Sequence, residues 1–295
     1  MLSLHSSIIR RGGLGLALLA ALASAAPLAA RDWSSADLQT TALGRTPVRR
    51  PDSFLSREYG RQLVDDARDT LTAPLRWDRQ DLLLVGGLGT LVAGSAFFDE
   101  QIRQESQENR TASLDRATKQ IQNFGSVYSL VVLGGFEAYG HFGHDENAHA
   151  TAMDGVAASI IASGVITPVL KYAVGRARPN RATHTFQFKP FGGGESFPSG
   201  HTTQAFAVAS VIAEHYPNWP TRLVAYGLAG MVGYSRIEQN AHFASDVVAG
   251  AIIGTTVGLH ITKRHDEHLN SHAPQTSYAP FVSGRTTGLM VQREF

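Results

Sequence analysis

The chain has 295 residues, 43% hydrophobic and 17% charged, proportions of a globular protein rather than a disordered or fibrous one. Its 26 Lys and Arg balance 25 Asp and Glu, so no basic field marks a nucleic-acid partner. The lack of cysteine excludes disulfide scaffolds, thiolate zinc sites and cysteine nucleophiles, leaving His, Asp, Ser, Lys and Arg to supply any chemistry.

Arg10 and Arg11 precede an uncharged run over residues 12–30, with its apolar centre at 14–22 and Ala23-Ser24-Ala25 as a cleavage site. The pattern predicts a secretory signal peptide over residues 1–30, cut near 25 or 30, because the apolar centre is shorter than the ~20 residues of a spanning helix. Export without cysteine points to a bacterial periplasm, with the protein soluble or associated with the inner membrane. Residues 31–51, with Pro47, Pro51 and paired Arg49 and Arg50, read as an irregular lead-in. A helix follows, capped by Asp52 or Ser53 and stopped by Pro74, with Leu55, Tyr59, Leu63, Ala67 and Leu71 in one apolar stripe.

Apolar stretches at 82–98, 124–136, 155–170, 223–237 and 247–261, and a shorter one at 204–212, lack the alternation of strands and read as helices. They are rich in Gly and Ala, which lets helix backbones approach closely. The expected fold is all-α, a bundle of about six core helices in one domain over residues 52–264. Most stretches fall short of the ~20 residues that span a bilayer, and mean hydropathy is −0.09, so the bundle reads as soluble or membrane-associated. In the tail from residue 265, segments 278–282 and 287–295 flank Ser283-Gly284-Arg285 and predict a short β-hairpin.

Three clusters carry the chemistry. Lys171 and Arg178 are seven residues apart at the end of the helix that starts near Asp145; two turns put both cations on one face before Pro179 ends the helix. In Pro198-Ser199-Gly200-His201, Ser199 is a natural N-cap for a helix near Thr202, and such a terminus beside glycine favours anions. Ser235-Arg236 is followed by His242 and, four residues later at the next helix start, by Asp246 within reach of the imidazole. Singly, these have plain structural readings: a charged helix end, a loop cap and a histidine hydrogen bond. Together they hold cationic and backbone donors for a phosphate, two histidines and a carboxylate, a complete set for phosphoryl transfer.

Lys171-x6-Arg178-Pro179, Pro198-Ser199-Gly200-His201 and Ser235-Arg236-x5-His242-x3-Asp246 resemble the three-part signature of the type 2 phosphatidic acid phosphatase (PAP2) and vanadium haloperoxidase superfamily, in order and with every position filled. The resemblance implies a phosphatase that hydrolyses a phosphomonoester, or a lipid phosphate or pyrophosphate, through a phosphohistidine. It implies that His242 is the nucleophile and that Asp246 holds its other ring nitrogen. His201 would protonate the leaving alcohol and then activate water. Lys171, Arg178, Ser199, Gly200 and Arg236 would bind the phosphoryl oxygens, with no metal and no cofactor required, and vanadate would bind as a transition-state mimic. A neutral His242 and a protonated His201 predict a bell-shaped pH profile with a mildly acidic to neutral optimum.

The partner is then a small-molecule or lipid phosphate, not nucleic acid; membrane association and oligomeric state stay open at this point. Two other readings accompany this one: a vanadium haloperoxidase with His242 as vanadate ligand, and a non-catalytic lipid-phosphate binding module. The chain is short for the first, and intact His201, His242 and Asp246 argue against the second. His141, His144, His149, His260, His265, His268 and His272 lack zinc-site spacing and read as solvated surface residues.

Overall fold

A cap by Ser56, whose hydroxyl accepts from the Tyr59 N–H at 3.0 Å, starts helix α1 (Arg57–Thr72), three residues later than a cap at Ser53 would. The structure, a computed structural model, describes residue 51, residues 53–270 and the segments 276–283 and 286–293; the expected signal peptide lies outside the described residues. The apolar stripe of α1 docks only at its middle. Tyr59 is buried and Leu63 and Ala67 meet the core, whereas Leu55 is 96% exposed. Gln62 and Asp66 are buried instead, because polar partners wait for them in the bundle.

Helices α2 (Arg79–Ala96) and α3 (Asp99–Glu108) follow, bent by 51° at their junction. Asp78 and Asp81 close a reciprocal capping box at the start of α2. Thr111 caps α4 (Ala112–Ile121), and α5 (Val127–Gly143) leads to Asp145, whose carboxylate caps α6 (Glu146–Ser159) through the Ala148 N–H. A π-helical turn, Ile160–Ile166, joins α6 to α7 (Thr167–Val174). Pro168 has no N–H for the carbonyl four residues back, and the wider turn lets the Thr167 N–H reach the Ala162 carbonyl instead. Helices α8 (Gly200–His215), α9 (Trp219–Glu238) and α10 (Ala244–Asn270) complete an all-α body. Beyond it, β1 (Thr276–Ser283) and β2 (Thr286–Arg293) run antiparallel, with Thr276 opposite Arg293.

Helix α8 is the axis of the bundle, packed by α6, α9 and α10 and buried along nearly its whole length. Its contact with α10 is backbone-close: a Cβ on Gly254 would come within 2.3 Å of the Thr203 carbonyl. One core cluster centres on Phe206, Val232 and Val247 and a second on Ile161, Val211 and Ile261.

The helices outrun the apolar stretches that announce them, since apolar residues mark buried middles while polar ends continue the turn. Glu146–Val174 and Ala244–Asp266 are long and apolar enough to cross a membrane, and α2 with α3 adds a third if that bent pair forms one span. Leu82, Leu83 and Leu91 of α2, Leu130 and Val131 of α5, and Leu223 and Val224 of α9 face outward, more apolar surface than a water-soluble bundle usually shows.

Candidate active site

Helix α7 stops at Gly175, whose left-handed φ of 63° ends the turn while its N–H bonds the Lys171 carbonyl. A side chain there would collide with the Lys189 carbonyl, 1.8 Å from an ideal Cβ, so glycine is required twice over. Arg178 therefore lies beyond the helix, and it meets Lys171 not on one helical face, as the spacing suggests, but because the chain reverses after Gly175. Residues 175–196 fold back through Lys189 N–H to Gly175 carbonyl (2.9 Å) and Ala177 N–H to Gln187 carbonyl (3.0 Å).

The second motif sits at the start of α8. Ser199 is the N-cap residue, as its position suggests, but its hydroxyl caps no backbone N–H. It accepts from the Thr202 hydroxyl at 2.9 Å, which leaves its own hydrogen for a ligand. The Ser199 N–H bonds the Asp246 carbonyl at 3.0 Å, tying the second motif to the third. Lys171 Nζ reaches the Pro198 carbonyl at 2.7 Å, tying it to the first. Gly200 opens α8, whose first-turn N–H groups have no helical acceptor and stand at the positive end of the dipole.

The third motif follows α9. The Ala241 and His242 N–H groups both bond the Arg236 carbonyl, at 3.0 and 3.1 Å, and this tight turn brings His242 back beside Arg236. His242 is buried, and its Nδ1 lies 2.7 Å from the Ser196 carbonyl and 3.8 Å from Asp246 Oδ2. A carbonyl only accepts, so Nδ1 carries the proton and Nε2 keeps its lone pair. The direct hydrogen bond that orients the ring thus comes from Ser196, with the Asp246 carboxylate standing behind it. That carboxylate accepts from the Ser196 hydroxyl (2.5 Å), the Phe243 N–H (2.9 Å) and Arg176 Nη1 (2.7 Å).

All three motifs converge. Burial above all, then the charges of Arg236, His242, Arg178 and Lys171, pushes His201 down to about 4. Burial also lowers His242 to about 4, against the upward pull of Asp246. The Nε atoms of Arg178 and Arg236 are buried without a hydrogen-bond partner, unspent donors of a kind that folded proteins rarely leave. Arg178 pairs with Glu195 at 3.2 Å, and Arg236 Nη1 bonds Gln122 and Gln239. Concentrated positive charge, unsatisfied N–H groups and a histidine with a free Nε2 give this cluster the means to bind an anion beside a nucleophilic nitrogen.

Sequence reasoning missed Ser196, Arg176, Asp99 and Ser245, which hold the dyad in place; Arg176 and Ser245 stand at unspecified positions inside the first and third motifs and Ser196 two residues before the second, whereas Asp99 is remote from all three. It also misjudged three histidines. His265 is buried between Asp154 (2.7 Å from Nδ1) and Asp66 (3.0 Å from Nε2), His260 lies 3.1 Å from Asp69, and His149 bonds Glu137 at 2.8 Å. Carboxylates from distant segments draw these rings inward.

Residues 155–269 match the model of the PAP2 superfamily. A stretch of 106 residues is 36% identical to the lipid A 1-phosphatase of Rhizobium johnstonii, covering 34% of this chain and 43% of that one. The chain thus spans less than half the length of that relative. A 196-residue stretch is 30% identical to probable lipid phosphate phosphatase 4 of Arabidopsis thaliana, covering 54% of this chain and 63% of that one. Among solved structures, the crystal structure of Aquifex aeolicus LpxE is 25% identical, covers 56% of this chain and 95% of that one, and gives a TM-score of 0.45.

Proposed function

We propose that this chain, whose residues 155–269 match the PAP2 superfamily model, hydrolyses a lipid phosphomonoester at a membrane surface through a phosphohistidine on His242. The observation that carries this reading is the gathering of Lys171, Arg178 and Arg236, two of them with buried unpartnered Nε donors, around His201 and His242. The phosphoryl oxygens take the donors of these three cations, the Ser199 hydroxyl and the N–H groups at Gly200. His242 Nε2 attacks phosphorus, the ester P–O bond breaks, and a proton from His201 goes to the departing alcohol oxygen. Water then attacks the phosphohistidine, with His201 taking its proton, and phosphate leaves. Fixed cations supply the charge that a metal supplies in other phosphoryl transfers.

A lipid substrate is supported by the names of the matched relatives and by the outward apolar faces of α2, α5 and α9. We read α6–α7 and α10 as membrane-spanning, with the site at the outer face of an inner membrane, as the expected signal peptide suggests.

The test is phosphate release in EDTA from phosphatidic acid in mixed micelles and from a soluble aryl phosphate, comparing the full chain with His242→Ala. Expected are metal-independent release, faster from the lipid, and an alkali-stable phosphoenzyme, both gone in the variant. Turnover that survives His242→Ala would overturn the mechanism, and preference for the aryl phosphate would overturn the lipid assignment.

A further inference from the structure

We propose that Asp99 and Arg176 are positioning residues that set the charge standing behind His242, an inference that rests on the phosphohistidine reading above. Neither is a specified position of the three-part signature: Arg176 falls among the six unspecified residues between Lys171 and Arg178, and Asp99 comes from the first turn of α3, 77 residues from Arg176 along the chain.

Arg176 is 2% exposed and Asp99 fully buried. One end of the guanidinium, Nη1, donates to Asp246 Oδ1 and to the Ser245 hydroxyl, each at 2.7 Å. The other end, Nη2, donates to Asp99 Oδ2 at 2.7 Å and to the Thr185 carbonyl at 2.7 Å. Since Arg176 only donates, the Ser245 hydroxyl accepts from it and gives its own hydrogen to Asp99 Oδ2 at 2.5 Å. The Ser245 N–H adds a further donor to Asp99 Oδ1 at 2.8 Å, and the Phe243 ring covers the guanidinium at 4.2 Å. The result is a buried row in which His242, Asp246, Arg176 and Asp99 follow one another.

The row has a reason beyond packing. When Nε2 of His242 takes the phosphoryl group while Nδ1 keeps its proton, the ring becomes a cation, and the carboxylate 3.8 Å away stabilises it. Arg176 alone on the far side of Asp246 would cancel that carboxylate. Asp99 restores the balance, so the buried group of Asp246, Arg176 and Asp99 carries one net negative charge facing the ring. Removing Asp99's charge should therefore weaken the phosphorylated state, whereas removing Asp99 and Arg176 together should leave Asp246 free to act alone.

The experiment is steady-state hydrolysis of phosphatidic acid micelles by the full chain in detergent, comparing wild type with Asp99→Asn, Arg176→Lys, Arg176→Met and the double variant D99N/R176M. For Asp99→Asn we expect kcat to fall roughly 10–100-fold, the scale of lost outer-shell support, with KM and inhibition by inorganic phosphate within about twofold because Lys171, Arg178 and Arg236 are untouched. The double variant should turn over faster than Asp99→Asn alone, a coupling that a structural tether does not produce. Losses that multiply in the double variant, or affinity for substrate and inorganic phosphate falling together with kcat, would overturn the proposal. If Asp99→Asn does not fold, the Arg176 pair decides: Arg176→Met, which leaves two carboxylates behind the ring, should keep at least as much kcat as Arg176→Lys, and a larger loss in Arg176→Met counts against the charge row. The alkali-stable phosphoenzyme of wild type separates the two levels. Its absence sinks the underlying mechanism, while its presence with an unchanged kcat in Asp99→Asn sinks only this inference.

Discussion

Two buried histidine–carboxylate networks sit toward opposite ends of α10. Near its start, His242 and Asp246 belong to the proposed phosphate site; 19 residues past Asp246, about 28 Å along a helix rising ~1.5 Å per residue, His265 lies between Asp66 and Asp154. Asp154 also meets His215 at 2.8 Å, and Asp66 meets Arg264 at 3.1 Å. At this far end both ring nitrogens of His265 are engaged, Nδ1 by Asp154 and Nε2 by Asp66 and Gln62, so neither is left free. The network fastens α1 to α6 and α10. At the near end one nitrogen of His242 is held by a carbonyl and the other is free, in a pocket of cations with donors to spare. A buried His–Asp pair becomes chemistry only when one ring nitrogen and its surroundings are left unsatisfied.

Substitutions sharpen this contrast, beginning with the nucleophile. His242→Ala should cut kcat by roughly 10⁴-fold or more, as removal of a nucleophile that acts as a unit with its partners does, with no loss of folded protein. His201→Asn should cost roughly 10²–10⁴-fold on an alkyl phosphate and much less on a p-nitrophenyl ester, whose leaving group needs little protonation. Equal losses on both substrates would remove His201 from the acid role. At the other end, His265→Ala leaves two buried carboxylates short of a partner and should lower stability by about 3–5 kcal/mol, read as a fall in melting temperature in detergent. Activity per folded molecule should be unchanged there, and a selective drop in kcat would break the distinction between the two networks.

The smallest expected effect is on pH. Without a bound anion His201 and His242 are both held to about 4, chiefly by burial. His242 must be neutral and His201 protonated, so kcat/KM, which reports the free enzyme, should be a narrow bell that peaks near pH 4 and falls on both sides. A bound phosphoryl dianion favours the charged form of both rings and raises both values. The bell for kcat should therefore sit at higher pH than that for kcat/KM, toward the mildly acidic to neutral range that the motifs suggest. Superimposable profiles would refute that electrostatic coupling.

The signature residues were legible because each motif is local: two to eight neighbours in the chain suffice to show a cation pair, a cap with glycine, or a histidine four residues before a carboxylate. The helices were legible for the same reason, although their ends were not, since polar residues finish a turn that apolar ones begin. What escaped was every relationship between distant segments. Gly175 turns Arg178 off the helix and back toward Lys171, Ser196 rather than Asp246 makes the direct bond to His242 Nδ1, and Asp99 reaches Ser245 across 146 residues. His260 and His265 looked like solvated surface until Asp69, Asp66 and Asp154 were brought against them. The sequence by itself determined which side chains carry the donors and the basic nitrogens that the proposed phosphoryl transfer uses, because donor type and proton affinity belong to the residue. Only the tertiary structure decided which histidine keeps a free nitrogen, because that depends on which partners burial leaves within hydrogen-bond reach.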